Sequence, residues 1–276
     1  MISTIDIKKL KDKSRIIRRH ILEMMKPPKL GHLGGSMSCA DIVTTLYYYK
    51  MKYKPDEPNW EKRDRLILSK GHSVLAQYAA LADLGYFPVE DILNIKEINC
   101  HLQGHPDMNK TVGIEANTGS LGQGLSIGIG ICLGANIDKY KYNVYVIIGD
   151  GELQEGQIWE AAMAAGHYKL DNIIAIVDNN KLQATGFIRE RLDIGDIASK
   201  WESFGWKVFK INGHNFVEIA DALDKADEIK RPVCIIADTI KGKGVKSAEK
   251  NPAFHKGCLT EKEYQEVIKK FSNTIS

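Results

Sequence analysis

The sequence predicts an α/β fold with a single doubly wound, mostly parallel sheet and helices on both faces. Two apolar runs, Val144-Tyr145-Val146-Ile147-Ile148 and Ile173-Ile174-Ala175-Ile176-Val177, have the length and continuity of strands buried on both faces. Between them, Trp159 to Tyr168 is rich in alanine and helical in pattern. Strand, helix, strand is the crossover that joins parallel neighbours. Helices and strands alternate along the rest of the chain without a linker, a repeat or a low-complexity segment. Residues 1–276 therefore read as one domain of ordinary size.

Each element has its own signal. Asp6 to Met25 is amphipathic and stops before Pro27-Pro28. Gly31 to Gly35 reads as a glycine loop, and Ser38 to Met51 as a second helix. Pro55 to Pro58 is a turn. Arg65 to Leu68 is a short strand that delivers Ser69-Lys70-Gly71-His72, with a helix through Leu84 beyond it. Residues 99–121 form a long loop, a length that often marks function. After Val177, residues 179–200 are irregular. Strands near Trp206–Ile211 and Val233–Ala237 flank a helix from Val217 to Ile229, and Glu261 to Phe271 is a last helix.

Charge and cysteine content narrow the function classes. The 38 basic and 35 acidic residues leave a net charge of +3, which gives no electrostatic case for nucleic acid. The densest basic run, Lys8 to Arg19, contains Asp12 and carries Leu10, Ile16 and Ile17 at helical spacing, so it reads as a solvated helix face. No apolar stretch approaches the roughly 20 residues that span a bilayer, and no signal peptide is apparent. The five cysteines are widely spaced, with no C-x-x-C, which predicts a reduced, cytoplasmic protein.

Chemistry concentrates where the two long strands end. Asp150 follows the first, inside Gly149-Asp150-Gly151, and Asn180 follows the second, thirty positions after the aspartate. A parallel crossover brings both strand ends to one sheet edge, where open α/β folds bind ligands. A carboxylate and an amide oxygen beside a glycine turn suit a magnesium ion shared with a diphosphate. Gly149 and Gly151 let the backbone approach the phosphates.

This spacing resembles the thiamine diphosphate signature. Four further segments sharpen the resemblance: Gly31-His32-Leu33-Gly34-Gly35-Ser36, Leu68-Ser69-Lys70-Gly71-His72, Gly104-His105-Pro106 and Thr118-Gly119-Ser120-Leu121-Gly122-Gln123-Gly124. With Gly149 to Gly156, Lys241 and His255, they are similar in order and interval to the transketolase family over about residues 10–260. The resemblance covers that family's diphosphate-binding domain only. It implies the N-terminal subunit of a split enzyme, with pyrimidine-binding and C-terminal domains on a partner chain and a heterotetramer of two plus two.

The roles it implies are specific. Asp150 and Asn180 would hold Mg2+, or another divalent cation such as Ca2+, with the Leu182 carbonyl as third protein ligand. Gly151 and His72 would contact the diphosphate of thiamine diphosphate, and Gly149 would let it approach. Gly119 and Leu121 would position the aminopyrimidine through backbone groups. His32 and His105 would face the reacting carbons, and His255, Lys70 and Lys241 would line the pocket. Glu155 would join a carboxylate network across the interface between subunits. The implied activity moves a two-carbon ketol unit from a ketose phosphate to an aldose phosphate. The alternatives are the cofactor-binding subunit of another thiamine enzyme, such as a special-sugar transketolase or a 2-oxoacid dehydrogenase or decarboxylase, and a non-catalytic cofactor-binding module. The stretch Phe254-His255-Lys256-Gly257 departs from the family's Trp-His-Gly.

Other signals read as structure. His101 and His105 are four apart, but Gly104 and Pro106 argue against the helix a zinc pair would need. His20, His167 and His214 match no site residue of the family. Gly122-x-Gly124 and Gly128-x-Gly130 lack a leading strand and read as close helix packing rather than a dinucleotide fingerprint. Tyr47-Tyr48-Tyr49 reads as core or interface.

Overall fold

The computed structural model describes residues 2–272; residue 1 and residues 273–276 of the expected domain lie outside that range. Helix α1 (Thr4–Met24) starts at Ser3, whose hydroxyl accepts the Asp6 N–H and so caps the first turn. The expected loop at Gly31–Gly35 is instead half helix. Helix α2 (Leu33–Ser38) includes Gly34 and Gly35, and α3 (Ala40–Thr45) follows after a break at Cys39. The single helix expected over Ser38–Met51 is thus divided, and its end, Leu46–Lys50, widens into a π turn. Packing explains the glycines. A side chain on Gly34 would stand 2.8 Å from the Phe254 carbonyl, and one on Gly35 would meet Ser73 Oγ.

Strand β1 (Arg65–Leu68), helix α4 (Leu75–Asp83) and the long loop come next. Helix α5 (Gln123–Ile137), strand β2 (Val144–Gly149), helix α6 (Gly156–His167) and strand β3 (Ile173–Asn179) form the central crossover. The irregular stretch contains a two-residue-per-strand hairpin, β4 (Leu182–Gln183) with β5 (Gly186–Phe187), then α7 (Ile188–Arg191) and α8 (Ile197–Ser203). Strand β6 (Lys207–Asn212), helix α9 (Phe216–Asp227), strand β7 (Val233–Asp238) and helix α10 (Glu261–Ser272) complete the described chain.

All pairings in the main sheet are parallel, in the order β1-β2-β3-β7-β6. Alternating side chains of the apolar strands feed two cores. Tyr145, Ile147, Ile174 and Ile176 join the core that also holds Leu22, Met37 and Leu223. Val144, Val146, Ile148, Ile173 and Val177 join the other, with Leu125, Ile158 and Trp201. This two-sided burial is why the strands lack the polar alternation of a half-exposed sheet. Gly128 lets α5 lie on the sheet, since a side chain there would reach within 2.8 Å of Val146 Cγ2. Gly124 similarly fits against Ser69 at 2.5 Å, whereas Gly130 faces open space. Among the described residues, no helix is long and apolar enough to cross a membrane.

The basic run on α1 is less solvated than its charge implies. Arg18 is buried, and its guanidinium grips Asp41 of α3 at 2.7 and 2.8 Å. Asp41 also accepts from Ser14 at 2.5 Å and contacts His214 Nδ1 at 2.7 Å. Burial alone would raise the Asp41 carboxyl, but Arg18, His214 and Ser14 outweigh it and hold the carboxyl far below the usual range. Asp41→Asn is expected to cost about 3 kcal/mol at pH 7, because a buried guanidinium loses its counter-charge. A depressed carboxylate stabilises fully above its unfolded value near 4 and loses that contribution as pH falls toward the folded value. Denaturant unfolding at pH 7 and pH 3 checks this, with the smaller difference expected at pH 3; equal differences count against it.

Candidate active site

The carboxyl ends of four adjacent strands meet around one cavity of about 240 Å³. Beyond β1 lie Lys70 and His72, beyond β2 Asp150 and Gly151, beyond β3 Asn180 and Leu182, and beyond β7 Lys241. Gly35, Leu121, Gly149, Glu155 and His255 also line it. A larger cavity of about 780 Å³, walled by the segment from Phe187 to Ile197, shares Asp150, Asn180 and Leu182 with it.

The floor is a compensated buried charge. Asp178, fully buried at the end of β3, accepts from Lys70 Nζ and Ser38 Oγ at 2.5 Å each, from Asn180 Nδ2 at 3.1 Å, and from the Thr239 hydroxyl. Burial would raise its carboxyl, but Lys70 and these hydrogen bonds hold it below the ordinary range. Lys70 is the mirror case: burial opposes its charge, and Asp178 more than restores it. The Lys70 ammonium also donates to the Gly35 carbonyl at 2.8 Å. Its charge therefore ties β1, β3 and α2 together, while its Cδ lies 3.6 Å from where a side chain on Gly149 would begin.

Asp150 stands beside this pair without an ammonium of its own. One carboxylate oxygen accepts the Gly151 N–H at 2.8 Å and the other the Lys181 N–H. Burial, then the neighbouring Asp178, push its carboxyl up to about 7. Asn180 Oδ1 accepts the Leu182 N–H at 3.1 Å, and the Leu182 carbonyl accepts from Lys241 Nζ at 2.9 Å. A carboxylate, an amide and a carbonyl oxygen thus lie on one short path between β2 and β4. They are hard donors, and the raised Asp150 carboxyl marks a place short of positive charge. This donor set fits a magnesium- or calcium-class ion. Among the described residues no group of three or more His, Cys, Asp or Glu forms a metal cage. An ion held by one carboxylate, neutral oxygens and a ligand's phosphates needs none.

Four histidine rings cluster at this edge, and two of them, His72 and His255, line the cavity. The ring of His32 lies 5.1 Å from His72, 5.9 Å from His105 and 5.5 Å from His255, and His72 lies 4.9 Å from His255. They come from the start of α2, the turn after β1, the long loop and the turn at Pro252–His255. Gly119 makes the loop's approach possible: its φ is +148°, and a side chain there would lie 2.8 Å from His105 Cδ2. Gly71 does the same at the β1 turn, since its Cβ would fall 2.5 Å from the Thr118 backbone.

Burial, followed by neighbouring positive groups, lowers every one of these imidazoles. His32 and His255 fall to about 4 and His72 to about 2, while His105 is lowered as well. Lys241, 3.0 Å from His255 Nδ1, is itself lowered to about 8 by burial and Lys70, against the pull of Asp150. The pocket therefore presents neutral imidazoles backed by ammonium groups. That surface donates hydrogen bonds to hydroxyls and anions without the desolvation cost of buried imidazolium.

Of the residues singled out in the sequence, His32, His72, His105 and His255 are brought together. Asp150, Asn180 and Leu182 are neighbours, and Lys241 links the two groups. Glu155 is exposed at the start of α6, on the cavity's rim. The zinc-type pair is not formed on a helix: His101 pairs with Asp91 at 3.1 Å. His20 is buried on Glu23, and His167 is exposed. Tyr47 is core, whereas Tyr48 and Tyr49 bond Asp83 and Asp224.

Sequence reasoning misses two carboxylates. Asp178 gives one usable signal, a charge interrupting the end of an apolar strand. Glu152 lies inside the central motif. Buried, it accepts from Ser69 Oγ at 2.5 Å, Gly122 N at 2.8 Å and Gly149 N at 3.0 Å. It clamps the turns after β1 and β2 to the N-terminus of α5.

The family described as transketolase, thiamine diphosphate binding domain, matches residues 10–274. The 6-deoxy-6-sulfo-D-fructose transketolase subunit SqwG of Clostridium sp. (strain MSTE9) is 44% identical over 260 residues, which are 94% of each chain. One of the subunits of the apulose-4-phosphate transketolase of Phocaeicola vulgatus is 40% identical over 94% of this chain and 92% of that protein. The crystal structure of transketolase from Campylobacter jejuni superposes with a TM-score of 0.90 at 31% identity. It is matched over 96% of this chain, which spans only 43% of the length of that solved chain.

Proposed function

Because the chain belongs to the transketolase family through its thiamine diphosphate-binding domain, we propose that it is the diphosphate-binding subunit of a split transketolase. In this reading the described residues are one diphosphate-binding domain. A second polypeptide supplies the pyrimidine-binding and C-terminal domains, and two copies of each form the active heterotetramer in the cytoplasm. The reaction moves a two-carbon ketol unit from a ketose phosphate to an aldose phosphate. Relatives of matching length that are themselves named as subunits support the division.

The observation that carries the reading is the meeting of the Asp150–Asn180–Leu182 oxygens with His72 and His255 around one cavity, with the rings of His32 and His105 clustered beside them. Asp150 Oδ, Asn180 Oδ1 and the Leu182 carbonyl would hold the divalent cation, which would offset the charge of the diphosphate. His72 and the Gly151 backbone would bind the diphosphate itself, with Lys70 and Lys241 supplying positive potential. Gly119 and Leu121 would place the pyrimidine through backbone groups. Bound thiamine diphosphate supplies the nucleophilic carbon and the electron sink. His32, His105 and His255 hydrogen-bond the sugar hydroxyls, and being neutral they can accept a proton from one hydroxyl and return it to another. Binding an anion beside them raises their proton affinity toward the working range. Glu155, exposed on the rim, would join a carboxylate network across the interface between subunits.

A special-sugar substrate is the second reading, favoured by the two relatives named for a sulfonated ketose and for apulose 4-phosphate. The assembled pair should be assayed with xylulose and ribose phosphates and with a sulfonated ketose, each with magnesium and thiamine diphosphate. Ketol transfer on any of these supports the enzyme class. Decarboxylation of 2-oxoacids in its place overturns it. Within the assembled enzyme, His105→Ala is expected to lower kcat by about 10²–10⁴-fold, the range of a lost proton-transfer group, and to leave cofactor affinity within about threefold. Steady-state kinetics at saturating cofactor, beside a cofactor titration, check this; lost affinity with retained turnover contradicts the role.

A further inference from the structure

Three lysines gather around the loops that carry His32, His105 and His255, and the proposed function gives them no task. Lys96 has a left-handed backbone, φ 65°, and donates to the Leu30 carbonyl at 2.6 Å. Its ammonium lies 3.1 Å from where a side chain on Gly31 would begin, one residue before His32. Its Cε lies 3.3 Å from the same point on Gly104, one residue before His105. Lys96 therefore spans the two loops that carry these histidines. Lys256 stands between His255 and Gly257, and Gly257 exchanges two backbone hydrogen bonds with Gly31, at 3.1 and 2.9 Å. Lys29 donates to the Leu93 carbonyl and lies 3.4 Å from Glu97. Among the described residues, no carboxylate pairs with Lys96 or Lys256.

These ammonium groups sense one another. After burial, Lys256 and Lys29 are the charges that depress Lys96, and Lys96 and Lys256 both depress His32 and His105. Like charges gathered beside these loops repel, and an anion between them turns repulsion into attraction. Lys256 is also the residue by which Phe254-His255-Lys256-Gly257 departs from Trp-His-Gly, where glycine follows the histidine directly. The departure places an exposed cation one residue after His255, which lines the pocket.

We propose that Lys96 and Lys256 form a subsite for the tetrahedral oxyanion, phosphate or sulfonate, carried by the sugar substrate, and that Lys256 sets the preference for charged sugars. This rests on the ketol-transfer reading for its substrate but not for the anion itself. Lys96 is held in place by the Leu30 carbonyl, and Lys256 supplies the free donor. A neutral sugar leaves the two charges unpaired and gains nothing from them.

The test uses this chain assembled with its partner, thiamine diphosphate and magnesium, as wild type, Lys256→Ala and Lys256→Arg. Donors are fructose 6-phosphate, a 6-sulfonated ketose and uncharged erythrulose. In Lys256→Ala the ratio of kcat/KM for a charged donor to that for erythrulose is expected to fall about ten- to a hundredfold, chiefly through KM. Lys256→Arg is expected to recover most of it. The charged donor with the larger fall identifies the group the subsite serves. In parallel, calorimetry of the full chain with inorganic phosphate and with methanesulfonate is expected to show saturable binding that Lys256→Ala weakens at least about tenfold. An unchanged ratio in a working enzyme overturns the subsite and leaves the ketol-transfer reading standing. If no ketol transfer is seen, Lys256-dependent anion binding upholds the subsite against the failed reading, and unchanged anion affinity overturns it.

Discussion

The purified chain, given thiamine diphosphate, magnesium and pentose phosphates, is expected to transfer no measurable two-carbon unit, with turnover rising at least about a thousandfold when its partner chain is added. The size follows from what the site lacks. Activating the cofactor requires loss of a proton from carbon, and an oriented acid–base group contributes about 10²–10⁴-fold. Here His32 and His255 sit at about 4 and His72 at about 2, too weakly basic to take that proton unaided. Glu155 points to solvent on the rim. The family resemblance puts the activating glutamate on the pyrimidine-binding half. The measurement is turnover of xylulose and ribose phosphates by the highly purified chain, then after adding the partner. Full activity from the single chain shows that the division proposed here is wrong.

Asp150→Ala is expected to weaken magnesium-dependent cofactor binding by about a hundredfold or more, roughly 3 kcal/mol, while leaving the fold intact. Asp150 is the carboxylate of the proposed cation shell; without it a divalent ion meets the diphosphate with neutral protein oxygens only. Asp178 cannot take its place, because Lys70, Ser38, Asn180 and Thr239 already occupy it. The fold survives because Asp150 is a strained charge: burial and Asp178 raise it to about 7. A carboxyl raised on folding costs stability as pH climbs from its unfolded value near 4 to its folded value. The four lowered histidines make stability rise with pH over the same range, so the Asp150 strain is read as a difference: relative to the variant, metal-free wild type should lose stability between about pH 4 and pH 7. Calorimetric titration with cofactor and magnesium gives the affinity, and thermal unfolding across pH gives the strain. Unchanged affinity in the variant sinks the assignment of the central motif.

The strands are legible in the sequence because the sheet is parallel and covered on both sides. Buried apolar runs such as Val144–Ile148 have no competing reading once a helix of the right length separates them. Arg65–Leu68 keeps its expected limits despite having only four residues. The region from Gly31 to Lys50 departs from expectation for a physical reason. Gly34 and Gly35 look like loop residues locally, but a side chain on either would collide with Phe254 or Ser73, contacts more than thirty residues away. The site is legible where it depends on residue types at strand ends, as with Asp150 and Asn180. It is illegible where it depends on pairing. Nothing beside Arg18 in the sequence points to Asp41, and nothing beside Lys70 points to Asp178. Glu152 lies in plain view but reads as surface charge until its three donors, from three loops, are seen.

The short bridge between Gly31 and Gly257 has a consequence for synthesis. A ribosome adds about 5–20 residues per second, so the 226 positions separating these glycines take roughly 11–45 s to emerge. During that interval the first histidine's loop has no partner strand, and the Pro252–His255 turn does not yet exist. The core built on Leu125, Ile158 and Trp201 can close before the pocket does, whereas the other core waits for Leu259, Tyr264 and Val267. The nascent chain can thus close one face of its sheet while the other face and the pocket still wait for the last helix.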